Sequence, residues 1–126
     1  MMSKKIILID DEVEMTHLLE IELNSEGFTV SSANDGEAGI KLIQKIHPDL
    51  VILDVMMPDL NGYEVLKRLK ADPSTNTIPI LMLTSKGMDA DIQKGLDLGA
   101  YDYITKPFHA ELLIKRINNL LKKPSK

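Results

Sequence analysis

The sequence predicts an α/β domain in which a five-stranded parallel sheet is covered on both faces by five helices. Three observations predict it. Five short apolar runs recur along the 126 residues, the middle ones apolar at successive positions, as strands covered on both faces are. Between the runs the apolar period changes from that of a strand to that of a helix. Strict alternation of strand and helix implies parallel strands joined by right-handed crossovers. A chain of this length suffices for one domain with one core, expected over about residues 4 to 122, with 123 to 126 a tail or linker stub.

The elements follow in order. The first strand, "KIILID" (5 to 10), runs into Asp10, Asp11 and Glu12, and acids there suit the positive end of the next helix. The second strand is "FTVSSA" (28 to 33). Asn34-Asp35-Gly36 then opens a helix whose Gly39, Leu42, Ile43 and Ile46 share a face, and His47-Pro48 closes it. The third strand, "LVILD" (50 to 54), is a buried run driven straight into Asp54. Pro58 and Asn61-Gly62 turn the chain away and leave that carboxylate open, and Asp72-Pro73-Ser74 ends the third helix. The fourth strand, "IPILMLT" (78 to 84), ends in Thr84-Ser85, and the fifth, "YDYIT" (101 to 105), in Thr105-Lys106-Pro107. Leu113, Ile117, Leu120 and Leu121 form the apolar stripe of a last helix that Pro124 stops.

Composition narrows the function. Hydrophobic residues at 44% and charged residues at 27% are those of a globular chain. A net charge of -4 argues against direct binding to nucleic acid or to an anionic membrane. The absence of cysteine removes disulfides, thiolate catalysis and cysteine zinc sites. The N-terminus does not read as a signal peptide, and no apolar run approaches the roughly 20 residues that span a bilayer. A cytoplasmic location is expected.

In a parallel α/β sheet, function collects beyond the carboxyl ends of the strands. Asp10, Asp11, Asp54, Thr84 and Lys106 all fall at that rim. Each carboxylate taken singly reads as a helix cap or turn residue; their convergence is the signal. Three carboxylates within about 5 Å repel by about 3 kcal/mol per pair at an effective dielectric of about 20. Lys106 offsets only part of this. A hard divalent cation such as Mg²⁺ fits the oxygen donors, whereas His17, His47 and His109 form no ligand-spaced set for zinc. A carboxylate beside Mg²⁺, a hydroxyl and an ammonium is equipped for phosphoryl transfer, with Asp54 as the nucleophile.

Together, "LIDDE", "LDVMMPDLNGYE", "MLTSK" and "YITKPF" resemble the receiver domains of bacterial two-component response regulators, the chemotaxis regulator among them. The resemblance runs from residue 4 to 122. It implies a flavodoxin-like sheet of strand order 2-1-3-4-5. It implies Asp54 as phosphoacceptor, Asp10 and Asp11 as metal carboxylates, and the Met56 backbone carbonyl as a further Mg²⁺ ligand. Thr84 matches the switch hydroxyl, Tyr103 the switch aromatic, Lys106 the paired lysine and Pro107 a cis-proline that aims Lys106 inward. The implied partners are a sensor histidine kinase or phosphotransfer protein and a downstream protein or fused output domain, reached through the face of helix 4, strand 5 and helix 5. Such a domain catalyses only its own phosphorylation and dephosphorylation.

Some features stay open at this level. Asp102 and Arg116 match positions that form charge pairs across a symmetric dimer in transcription-factor receivers, but Leu112 stands where such receivers often carry an acid. A solvated surface explains the pair as well, so a phosphorylation-dependent homodimer is allowed and not predicted. Met56 and Lys86, two residues past Asp54 and Thr84, offer no amide or acid to orient water, which predicts a long-lived phosphoryl group. A flavodoxin would need a phosphate loop where "DDE" stands, and a haloacid-dehalogenase-type phosphatase would need a carboxylate two residues after Asp54. A degenerate receiver acting as a phosphate-independent binding module is the remaining alternative.

Overall fold

A computed structural model describes residues 3–55, 57, 59–84 and 89–122, without the side chains of 89–91. Five strands, β1 (Lys5–Ile9), β2 (Thr29–Ala33), β3 (Leu50–Asp54), β4 (Ile80–Thr84) and β5 (Asp102–Thr105), form one sheet. Its order is β2-β1-β3-β4-β5 and every pairing is parallel. The helices between and after them are α1 (Val13–Ser25), α2 (Gly36–Ile46), α3 (Gly62–Ala71), α4 (Asp89–Asp97) and α5 (Ala110–Lys122). The expected architecture and strand order are both present.

Alternation of side chains along each strand sorts the core into two layers. Ile7, Ile9, Val51, Leu53, Ile80 and Met82 face α2 and α3 through Ile40, Ile43, Val65, Leu66 and Leu69. On the other face, Ile6, Leu8, Leu50, Ile52, Leu81 and Leu83 meet Leu19 and Leu23 of α1 and Leu113, Ile117 and Leu120 of α5. β3 and β4 are buried throughout, which is why their sequences do not alternate. β2, at the edge, is only partly buried, and its serines fit that position.

Local signals set the helix ends. Asp35 caps α2 by accepting from the Ala38 N–H at 2.8 Å, and His47 closes it in the left-handed region at φ 53° just before Pro48. Asn61 caps α3 by accepting from the Glu64 N–H at 3.1 Å. Strand starts differ slightly from expectation. Phe28 closes α1 instead, its N–H donating to the Leu23 carbonyl, and β4 begins only at Ile80 because Pro79 has no N–H to donate. Pro58, Ser85, Lys86 and the tail with Pro124 lie outside the described residues. No described helix is long and apolar enough to cross a membrane.

Candidate phosphoryl-acceptor site

The carboxyl end of the sheet gathers the residues singled out above. β1 ends one residue before Asp10, β3 on Asp54 and β4 on Thr84, so the central strands deliver these side chains to one rim. Oxygen atoms of Asp10, Asp11 and Asp54 lie within 4.8 Å of one another. Asp10 and Asp54 are buried and Asp11 is exposed, giving an acidic pocket open on one side.

Lys106 closes that pocket. Its backbone N–H donates to the Thr84 carbonyl at 2.7 Å, tying the end of β5 to the end of β4, and the Lys106–Pro107 peptide is cis, as the resemblance implied. Its Nζ is 2.8 Å from Asp10 Oδ2, 2.8 Å from Glu12 Oε1 and 3.6 Å from Asp54 Oδ1. Burial pulls the Lys106 pKa down, but hydrogen bonds to Asp10 and Glu12 and the charges of Asp54 and Asp10 outweigh it and raise it above the usual lysine value. The ammonium is therefore firmly charged.

Among the described residues, one ammonium stands against the three clustered aspartates and Glu12. At separations of no more than 4.8 Å each carboxylate pair repels by at least about 3 kcal/mol at an effective dielectric of about 20. The donors are all oxygen and their charge exceeds that of Lys106, which is the chemistry a hard divalent cation such as Mg²⁺ fits. Asp10, Asp11 and Asp54 can hold it; Met56, whose carbonyl was expected to join them, lies outside the described residues.

The backbone around Asp54 is fixed from several sides. The Val55 N–H donates to the Leu83 carbonyl at 3.0 Å, and the Val55 carbonyl accepts from the Gly62 N–H at 2.9 Å. A Cβ on Gly62 would sit 2.3 Å from the Asp54 carbonyl oxygen, so only glycine lets α3 start this close to β3. Asp59, in the loop between them, accepts from the Gly36 and Glu37 N–H groups at the start of α2. The Gly36 bond in particular, joined by the Glu37 N–H, holds its carboxyl below the usual range against the opposing effect of desolvation.

Thr84 is buried, and Tyr103 is half-buried against the α2/α3 layer. Both line one small cavity of about 10 Å³ together with Val55, Tyr63 and Met82. Asp102 and Arg116 pair with each other within the chain at 2.8 Å, and Leu112 is exposed. Of the residues around the cluster, sequence reasoning left Glu12 as an acid at a helix start and Gly62 as part of a turn, and did not single out Asp59.

Comparison with known proteins shows the family. The model of the response regulator receiver domain matches residues 6–118. The chain belongs to the response regulator receiver domain family. It is 43% identical to the regulatory protein VanRc of Enterococcus gallinarum over 97% of this chain and 52% of that protein. It is 43% identical to the alkaline phosphatase synthesis transcriptional regulatory protein PhoP of Bacillus subtilis, over 97% of this chain and 50% of that one. The high-resolution structure of the chemotaxis response regulator CheY4 of Vibrio cholerae superposes with a TM-score of 0.90 at 30% identity, covering 94% of this chain and 99% of that one. The chain spans about half the length of the curated relatives it matches. It is a receiver domain of two-component response regulators, and receiver domains bind Mg²⁺ at an aspartate cluster of this kind.

Proposed function

We propose that this chain is one receiver domain, with its core over residues 4 to 122, that accepts a phosphoryl group on Asp54 with the help of Mg²⁺. The observation that carries the proposal is the convergence of Asp10, Asp11 and Asp54 within 4.8 Å, with Lys106 Nζ 3.6 Å from Asp54. Asp54 attacks phosphorus through one carboxylate oxygen. The donor's bond to phosphorus, P–N in a kinase histidine or P–O in acetyl phosphate, breaks, and its electron pair leaves with the donor. Asp10, Asp11, Asp54 and the Met56 carbonyl would hold Mg²⁺, which when bound would supply the positive charge that offsets carboxylates and phosphoryl oxygens. Lys106 pairs with a phosphoryl oxygen as a compact charge, and the Thr84 hydroxyl donates to another.

The same reading supplies the output. Thr84, drawn toward the phosphoryl group, vacates space that Tyr103 follows into, and the face of α4, β5 and α5 shifts between two states. The shared cavity between Thr84 and Tyr103 supports this coupling. The partners are a sensor histidine kinase or phosphotransfer protein upstream and a protein or fused output domain downstream, in the cytoplasm. PhoP, a transcriptional regulator about twice as long, favours the fused form. The net charge of -4 leaves direct DNA contact to such a module. The Asp102–Arg116 pair, closed within the chain, supports a monomeric resting state. The domain turns over no substrate beyond its own phosphoryl group, and Met56 and Lys86 give that group a long life.

Intact mass after incubation with Mg²⁺ and acetyl phosphate tests the proposal, beside Asp54→Ala and a chelator control. One added phosphoryl group that needs both Asp54 and Mg²⁺ is expected. No gain by a folded domain with active donor overturns the reading and favours a phosphate-independent binding module.

A further inference from the structure

The geometry points to Glu12 as a positioning residue that holds Lys106 back from the acceptor in the unphosphorylated domain. The inference rests on Asp54 being that acceptor. Glu12 occupies the N-cap of α1, but its side chain, longer than those of the usual capping residues Ser, Thr, Asp and Asn, accepts nothing from the helix's own N–H groups. Its carboxylate reaches the other way, to Lys106 Nζ at 2.8 Å. Its backbone N–H donates to Asp10 Oδ1 at 2.9 Å, while Lys106 donates to Asp10 Oδ2 at 2.8 Å. The three residues thus form a closed ring. The ammonium is committed to Asp10 and Glu12, with Asp54 at the longer distance of 3.6 Å.

A phosphoryl group on Asp54 presents new anionic oxygens that Lys106 must turn to meet. The two carboxylates that hold it differ in freedom. Asp10 is fully buried and also fixed by the Glu12 N–H, whereas the Glu12 side chain is 61% exposed. Water readily replaces Lys106 at Glu12 and cannot do so at Asp10. Glu12 is therefore the partner that yields, and the contact it gives up opposes phosphoryl binding. An ion pair with one solvent-exposed partner corresponds to an effect of about two- to fivefold.

The test is the affinity for beryllium trifluoride, a mimic of a phosphoryl group on a carboxylate, measured with Mg²⁺ by amide NMR for wild type, Glu12→Gln and Glu22→Gln. Glu22 is an exposed acid of α1 that forms no ion pair among the described residues, and it reports any general effect of removing charge from this helix. Tighter binding by Glu12→Gln, about two- to fivefold, is expected, with a shifted Lys106 side-chain resonance in the metal-free domain. Glu22→Gln should match wild type in both. A purely structural role for Glu12 would move the urea midpoint and leave affinity and resonance alone. Affinity of Glu12→Gln equal to or weaker than wild type overturns the inference while leaving Asp54 as acceptor. A wild-type domain that neither binds the mimic nor takes up phosphoryl overturns the acceptor reading and this inference with it.

Discussion

Gly62→Ala places a methyl group where the end of β3 already stands. The new Cβ would lie 2.3 Å from the Asp54 carbonyl oxygen, 2.8 Å from Val55 Cα and 3.0 Å from the Asp54 carbonyl carbon. All three are backbone atoms, so no side-chain rotation relieves the clash. Gly62 is not among the residues of positive φ; it is needed for space, not for backbone freedom. Alanine gains up to about 1 kcal/mol in helix propensity. Against this stand about 1–3 kcal/mol of overpacking and about 1 kcal/mol from the weakened Gly62 N–H to Val55 carbonyl bond. The net expectation is a loss of about 1–3 kcal/mol, read as a lower urea midpoint. The atoms that must move carry the Asp54 side chain, so phosphoryl uptake falls on the order of tenfold or more. A variant as stable as wild type with unchanged uptake would refute the argument that this contact fixes Asp54.

Two further outcomes follow from the charges. Asp54→Asn removes two repulsions of about 3.5 kcal/mol or more each, the oxygens lying no more than 4.8 Å apart, and one attraction to Lys106 of about 4.6 kcal/mol at 3.6 Å, at an effective dielectric of about 20. The metal-free variant is expected to be at least about 2 kcal/mol more stable than wild type, and Mg²⁺ to raise the melting temperature of wild type more than that of the variant; equal responses would show that Asp54 does not share the cation. Asp59 has a folded-state pKa lowered from 3.8, chiefly by the Gly36 N–H. Its contribution is fully present above about pH 4 and lost as pH falls through the lower folded value. Urea midpoints measured between pH 7 and pH 2 should fall less steeply below pH 4 in Asp59→Asn than in wild type.

Much of this was legible in the sequence because burial on both faces leaves a plain mark. "LVILD" is β3 residue for residue, and its continuous apolar run reports helices above and below. The rim was legible for the same reason, since a carboxylate that ends such a strand has a known position once the strands are parallel. What escaped depends on contacts between segments far apart in the chain. Glu12 and Lys106 are 94 positions apart, and no periodicity joins them. Asp59 meets α2 across 23 positions, so its anchoring of the loop after Asp54 had no local signal. Gly62 did carry a signal, but Asn-Gly reads first as a turn, and the closeness of the Asp54 carbonyl emerges only in three dimensions. Arg116 and Asp102 were each visible as charges, and their pairing within one chain was not.

The central claim is that Asp54, and neither of the aspartates beside it, receives the phosphoryl group. Borohydride reduction of the domain after treatment with acetyl phosphate and Mg²⁺ converts an acyl phosphate to an alcohol, and peptide mass spectrometry then locates the reduced side chain. The account predicts reduction at Asp54 alone. Reduction at Asp10 or Asp11, or at none of the three in a domain that gained phosphoryl mass, would contradict it.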